Sequence, residues 1–144
     1  MAIGLYILNY NGRDLLEQCL PSVLRAAAAS SHACHVTIVD NASTDDSLAW
    51  LAQAHPQVAV DRQPNRGLSS YNVVLATADV DVAVLLNNDI RLAEDCLDPL
   101  VAPLIESPPA GEDGCFMSAP LCWLFDGRTY EGFRTAVTWR WGLV

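Results

Sequence analysis

The side chains that could do chemistry in this sequence are carboxylates and carboxamides gathered at the ends of apolar runs. Ile3 to Leu8 leads into Asn9-Tyr10-Asn11-Gly12. Val36 to Val39 leads into Asp40-Asn41-Ala42-Ser43-Thr44-Asp45, and Val82 to Leu86 into Asn87-Asn88-Asp89. Any one cluster is an ordinary turn composition; three of them, two with an acid close behind a buried run, point to a site. Carboxylate and amide oxygens are hard ligands, suited to Mg2+ or Mn2+ whose shell is completed by water and phosphate oxygens. Such a cation would also let a phosphate enter an acidic pocket that otherwise repels it. Asp89, just past the most apolar run, is the candidate metal ligand, against the local alternative of a turn or helix-cap aspartate.

Other chemistries are excluded by what is missing. Lys and Arg together number 8, and all are Arg, so a P-loop lysine, a Schiff base or a lysine general base is impossible. No G-x-G-x-x-G follows the first run. A receiver-like phosphoacceptor domain would need an acid after the first strand and a late lysine, and has neither. The five cysteines form an odd count without a C-x-x-C pair. With His32, His35 and His55 they show no zinc-ligand spacing, and four lie in apolar segments as buried reduced thiols do.

The elements that would position these clusters alternate in type. Ile3 to Leu8, Val36 to Val39 and Val82 to Leu86 are mostly continuous apolar runs, as expected of strands buried on both faces, with Val58 to Val60 a weaker fourth. Between them, Leu15, Leu16, Cys19, Leu20, Val23 and Leu24 recur at helical spacing, starting from Asn11 and Asp14, with a bend or break expected at Pro21. Ser43 and Asp46 open a second helix with Leu48, Leu51 and Ala52 facing in. Leu68, Tyr71, Asn72 and Leu75 mark a third, on whose inner face Asn72 would be a buried carboxamide near the strand ends. Asp98-Pro99 caps a fourth, followed by Leu100, Val101 and Leu104.

Strands alternating with helices imply a mainly parallel, Rossmann-like α/β sheet flanked by helices. All carboxyl strand ends then share one edge, where open α/β sheets bind ligands, so the three polar clusters should meet in one crevice. Gly67, after Asn65-Arg66, would permit a positive φ or a close ligand approach; Arg66 reads equally as a solvated loop arginine. The pattern changes after the loop Ser107-Pro108-Pro109-Ala110-Gly111. Phe116 to Phe125 and Arg128 to Phe133, around Asp126-Gly127, predict a C-terminal β-hairpin. We therefore divide the chain into a β/α part, 1–107, and a hairpin with an aromatic tail, 108–144. Trp139-Arg140-Trp141 has the composition of an interface, a candidate surface for a homodimer; core packing and an acceptor-sugar platform are the alternatives.

At this point the residues resemble the family 2 glycosyltransferases with a GT-A fold, in particular the rhamnosyltransferase-like members. The resemblance runs through Ile7-Leu8-Asn9-Tyr10-Asn11-Gly12, Val39-Asp40-Asn41-Ala42-Ser43-Thr44-Asp45-Asp46-Ser47, Asn65-Arg66-Gly67-Leu68 with Asn72, and Leu85-Leu86-Asn87-Asn88-Asp89. It implies a nucleoside-diphosphate sugar site for a UDP-, dTDP- or GDP-linked donor. Asn9, Tyr10, Asn11, Asp40, Ser43, Arg66, Gly67, Asn72 and Asn88 would contact the nucleotide, Asp40 its base. Asn87-Asn88-Asp89 would stand in place of D-x-D, its last acid holding Mg2+ or Mn2+ on the diphosphate. The implied reaction is inverting displacement onto a hydroxyl of a sugar or lipid-linked acceptor in polysaccharide or glycoconjugate synthesis. Val74 stands where the family often has Gly, and the interval from Gly67 to Asn72 is one residue short. The Glu-Asp base motif normally lies further on than this chain reaches, so we expect a truncated domain carrying the nucleotide-binding half. Glu131 is left as a weak candidate base, and a non-catalytic nucleotide-sugar-binding or assembly module is the alternative.

With 144 residues, 51% of them hydrophobic, the chain suffices for one core without disulfides or a structural metal. A net charge of −9 and no basic stretch argue against nucleic acid and anionic membranes as partners. No run approaches a membrane span and no basic leader precedes an apolar stretch. The expected compartment is the cytoplasm.

Overall fold

The computed structural model describes residues 1–106, 115 and 117–131. Four strands, β1 (Ala2–Asn9), β2 (Ala33–Asp40), β3 (Ala59–Arg62) and β4 (Val82–Asn87), form one sheet in the order β3-β2-β1-β4, every pair parallel. The chain steps outward from β1 to β3, then returns to lay β4 on the other side of β1. This reversal is the switch point beside which open α/β sheets leave a crevice at their carboxyl ends. Register completes the convergence: Asn9 stands opposite Asp40, and Leu8 opposite Asn87.

β1 is central and buried on both faces. Ile3, Leu5 and Ile7 pack with Leu16, Leu20 and Val23 of α1 (Arg13–Ala29) and with Leu97 and Val101 of the helix Leu97–Glu106. On the opposite face Tyr6 and Val39 meet Tyr71 and Val74 of α3 (Ser70–Leu75). Gly4 leaves room for the Tyr6 ring, which a Cβ there would meet at 2.6 Å. The helix Leu97–Glu106 is α4, and α2 is Ser47–Ala54. No helix among the described residues is long and apolar enough to cross a membrane.

Several expectations are corrected. α1 runs unbroken through Pro21. An interior proline costs about 3 kcal/mol, whereas fully burying one Leu or Val side chain contributes roughly 1.5–3 kcal/mol; Leu16, Leu20 and Val23, spread over both sides of Pro21, outweigh it. β4 is half-buried rather than buried on both faces: Val84 and Leu86 point into the core, while Leu85 is 44% exposed. An edge strand covered on one side alternates; only an interior strand needs an uninterrupted apolar run. α2 starts at Ser47, not Ser43, because the Ser43 hydroxyl is taken by β1 and the loop after it; Ala52 faces out.

α3 also differs. Its inner face is Ser70, Tyr71 and Val74, and Leu68, Asn72 and Leu75 are exposed. A 3-10 turn at Gly67–Ser69 rotates the face away from the periodicity read from the sequence. α4 begins at Leu97, and the Asp98 carboxylate, rather than capping it, accepts from the Ser30 hydroxyl and the Ser31 N–H just after α1. Of the cysteines, all free, only Cys19 is buried.

The hairpin is shorter than expected, β5 (Cys122–Trp123) pairing antiparallel with β6 (Tyr130–Glu131). Asp126 organises its turn by accepting from the N–H groups of Arg128 and Thr129 and from the Thr129 hydroxyl, with Gly127 at φ 65°. These bonds hold the Asp126 carboxyl below the usual carboxylate range, the Thr129 hydroxyl contributing most. The loop of residues 107–111, Phe116, the strand end Gly132-Phe133 and Trp139-Arg140-Trp141 lie outside the described residues.

Candidate functional site

The three strand ends are joined by one side chain. Asn9 closes β1 with no exposed surface. Its Nδ2 faces Asp40 Oδ1 at 3.3 Å, Ser43 Oγ at 3.1 Å and Ser47 Oγ at 3.3 Å, and its Oδ1 accepts from Asn88 Nδ2 at 2.9 Å. A buried carboxamide must be paired on both ends, and here the pairing spans β1, β2 and the loop after β4. Asp40 is equally buried, its second oxygen accepting from the Ser43 N–H at 3.1 Å. Such charge-assisted bonds are what make burial of a carboxylate tolerable. Asp40 and Asn9 therefore organise the strand-end rim from its buried side.

Asn11 orders the loop above them. It adopts φ 48°, tolerable for Asn, and its N–H donates to Ser43 Oγ while its Oδ1 accepts from the N–H groups of Thr44 and Asp45. This is why it does not cap α1, whose cap position is Gly12. Asp45 accepts from the Ser47 hydroxyl and from the N–H groups of Ser47 and Arg13. Burial pushes its pKa up, but those bonds, the Ser47 hydroxyl foremost, leave it below the usual value. Arg13 packs over the Trp50 ring with its guanidinium carbon 4.4 Å from the centroid and pairs with Glu17 at 2.8 Å. An open groove of about 400 Å³ runs along Asn11, Gly12, Arg13, Asp45 and Asp46.

Asn41, Ser47 and Ser70 are rim residues that sequence reasoning did not single out. Asn41 is buried and joins the end of β2 to the entry of α3, its Nδ2 donating to the Gly67 carbonyl at 3.0 Å and its Oδ1 accepting from the Ser70 hydroxyl. It thereby fixes the Asn65-Arg66-Gly67 loop. Gly67 adopts φ 57°, the left-handed conformation its type allows, and its N–H donates to Asn65 Oδ1. The only sequence signal for Asn41 was its place beside Asp40. Alternation sends the two to opposite faces, so one binds β1 and the other the entry to α3. The Tyr71 hydroxyl donates to the Leu86 carbonyl at 2.6 Å, tying α3 to the end of β4; burial raises its pKa.

What the rim presents outward is different in kind. Tyr10, Arg66, Asn72, Asn87 and Asp89 are exposed, and Asn88 is half-buried against Asn9. Asn72 makes no side-chain hydrogen bond with the described residues, so the structure does not join it to the network. Among the described residues the exposed Asp89 carboxylate, just past β4, has no hydrogen-bond or ion-pair partner, and the exposed Asn87 carboxamide is close in sequence. Among the described residues no three His, Cys, Asp or Glu side chains gather as a metal cage. This donor set fits an oxygen-seeking cation that draws its remaining ligands from water and from a phosphate. Arg91, two residues on, lies 4.8 Å over the Phe125 ring, which pins the hairpin beside the Asp89 loop. Glu131, the candidate base, ends β6.

Comparison with known proteins agrees with this geometry. The chain superposes on S. aureus TarS residues 1–349 with a TM-score of 0.59 and 21% identity, covering 74% of this chain and 33% of that one. A TarS structure in complex with UDP-GlcNAc gives 0.58 at 18% identity over 74% and 32%. The mannosyltransferase PcManGT from Pyrobaculum calidifontis, in complex with GDP-Man and Mn2+, gives 0.57 at 24% identity over 69% and 31%. These likenesses show the fold, a four-stranded parallel GT-A sheet flanked by helices, and this chain spans about a third of the length of each solved chain. No curated protein matches. The profile described as glycosyl transferase family 2 matches residues 5–142, so the chain that carries this carboxamide-laced rim belongs to glycosyl transferase family 2.

Proposed function

We propose that the rim binds a nucleoside-diphosphate sugar with a divalent cation at Asp89, and that the chain supplies the donor half of an inverting transfer to a hydroxyl acceptor. The observation that carries this reading is the division of labour at the switch point: Asn9 draws β1, β2 and the β4 loop together while Asp89 stays exposed beside them. The exposed Tyr10 and Arg66 flank the crevice as contacts for the nucleotide, with Asn11, Ser43 and Gly67 shaping the loops that would enclose it. Mg2+ or Mn2+ would neutralise charge developing on the departing diphosphate. The solved neighbours with UDP-GlcNAc and with GDP-Man and Mn2+ support this ligand class.

In transfer, the acceptor hydroxyl must lose its proton to a carboxylate as its oxygen attacks the anomeric carbon. Asp126 is committed to its own turn, which leaves Glu131 as the candidate within the hairpin. That commitment also favours a second reading, donor binding without transfer by this chain.

Titration of UDP-, dTDP- and GDP-sugars with and without Mn2+ tests the proposal. Wild type should bind at least one of them in a metal-dependent way, and Asp89→Ala should lose at least tenfold in affinity, the scale of one charge-assisted contact. Equal affinity in the two proteins would remove Asp89 from the metal site. Where wild type turns over donor, Glu131→Gln should abolish turnover and leave binding intact; turnover unaffected by it would clear Glu131 of the base role.

A further inference from the structure

Gly12 lies directly against the hydrogen bond between Asn9 and Asn88. A Cβ at this position would stand 2.0 Å from Asn88 Nδ2, 2.6 Å from Asn9 Oδ1 and 3.2 Å from Asn88 Cγ. Its φ of −114° is open to any residue, so what the position requires is space, not conformational freedom.

We infer that Gly12 and Asn9 are positioning residues for the metal-binding loop, acting through Asn88, whose carboxamide they hold. This rests on the reading of Asp89 as metal ligand and deepens it. The reason lies in which neighbour can yield. Gly12 is held by its carbonyl, which accepts the first bond of α1 from the Leu16 N–H at 2.9 Å, and by the adjacent Arg13 N–H on Asp45. Asn9 is wholly buried and held from β2 and α2. Asn88 is only half-buried, and among the described residues its amide nitrogen has Asn9 as its one hydrogen-bond partner.

An added methyl at position 12 therefore pushes Asn88 off Asn9. The loop after β4 then loses its tether to the end of β1, and the placement of Asp89, the next residue, is no longer fixed from that side. Downstream the loop is tethered again, where the Leu92 N–H donates to the Ser22 hydroxyl at 3.1 Å. The freedom gained thus falls on the few residues between the two anchors, Asp89 among them. Asn88 accordingly serves as a spacer for Asp89 and not as a nucleotide contact through its amide nitrogen.

The test is a double-mutant cycle of Gly12→Ala and Asn88→Ala. Mn2+ affinity is read by electron paramagnetic resonance in the presence of UDP, GDP or dTDP, and Tm alongside. Each single substitution should weaken Mn2+ binding about tenfold while the protein stays folded, and the double variant should be no weaker than either, since coupled sites are not additive. A product of the two losses, about a hundredfold, would overturn the route through Asn88. Wild-type affinity in Gly12→Ala, with Asp89→Ala defective, would overturn the inference alone; wild-type affinity in Asp89→Ala would overturn the metal reading first. If Gly12→Ala does not fold but does so in the Asn88→Ala background, the steric claim stands. If it folds in neither, the space serves the fold itself and the inference fails.

Discussion

The two sides of the switch point solve different problems with similar residues. On the β1–β2 side Asn9, Asp40, Asn41 and Ser47 are buried and bonded to one another or to the loops they hold. On the β4 side Asn87 and Asp89 are exposed, and the strand leading to them shows Leu85 to solvent. A carboxylate paired and buried is part of the scaffold, while one left in water at the same rim is available to a ligand. The contrast teaches that burial, not residue type, separates the organising acid from the acid we propose as the metal ligand.

Asp40 against Asp89 is the sharpest way to break that contrast. Asp40→Ala removes the acceptor of the Ser43 N–H and one of the acceptors around the Asn9 Nδ2 donor in the interior, and should cost about 2–4 kcal/mol of stability in urea denaturation. Asp89→Ala should change stability by no more than about 0.5 kcal/mol, as exposed substitutions do, while removing metal-dependent affinity. Equal stability losses would erase the distinction between the two sides.

A smaller effect concerns the far end of α1, where Ala29, Ser30, Glu94, Asp95, Leu97 and Asp98 line another groove of about 400 Å³. The Ser30 hydroxyl and the Ser31 N–H hold Asp98 at a pKa of about 2, below its ordinary 3.8. A carboxyl depressed in the folded state contributes stability that is present above its unfolded pKa and fades as pH falls toward the folded one. Wild type should therefore lose this contribution between roughly pH 4 and pH 2, and Asp98→Asn should show a shallower stability decline across that window. An identical acid profile would show that the Ser30 and Ser31 contacts contribute nothing in solution.

How far the sequence carries is clearest at particular residues. The apolar runs Ile3–Leu8 and Val36–Val39 name the central strands, because a strand buried on both faces needs an unbroken run. The polar residues after them name the rim, because parallel strands share one carboxyl edge. Pro21 misleads, since the packing that overrides a local break comes from other elements. Asn72 and Leu75 mislead for a related reason: one 3-10 turn re-phases α3, and periodicity has no memory of it. Asn41 stays hidden because its partners, Gly67 and Ser70, are distant in sequence.

By itself, then, the amino-acid sequence determined the parallel α/β class, the edge of the sheet to which the polar clusters come and the residues eligible for the proposed site. Only the tertiary structure decided which of those residues face inward as scaffold and which face water. That choice is made by contacts such as Asn9 to Asn88, 79 positions apart, and a hydrogen bond across that distance leaves no trace in local spacing.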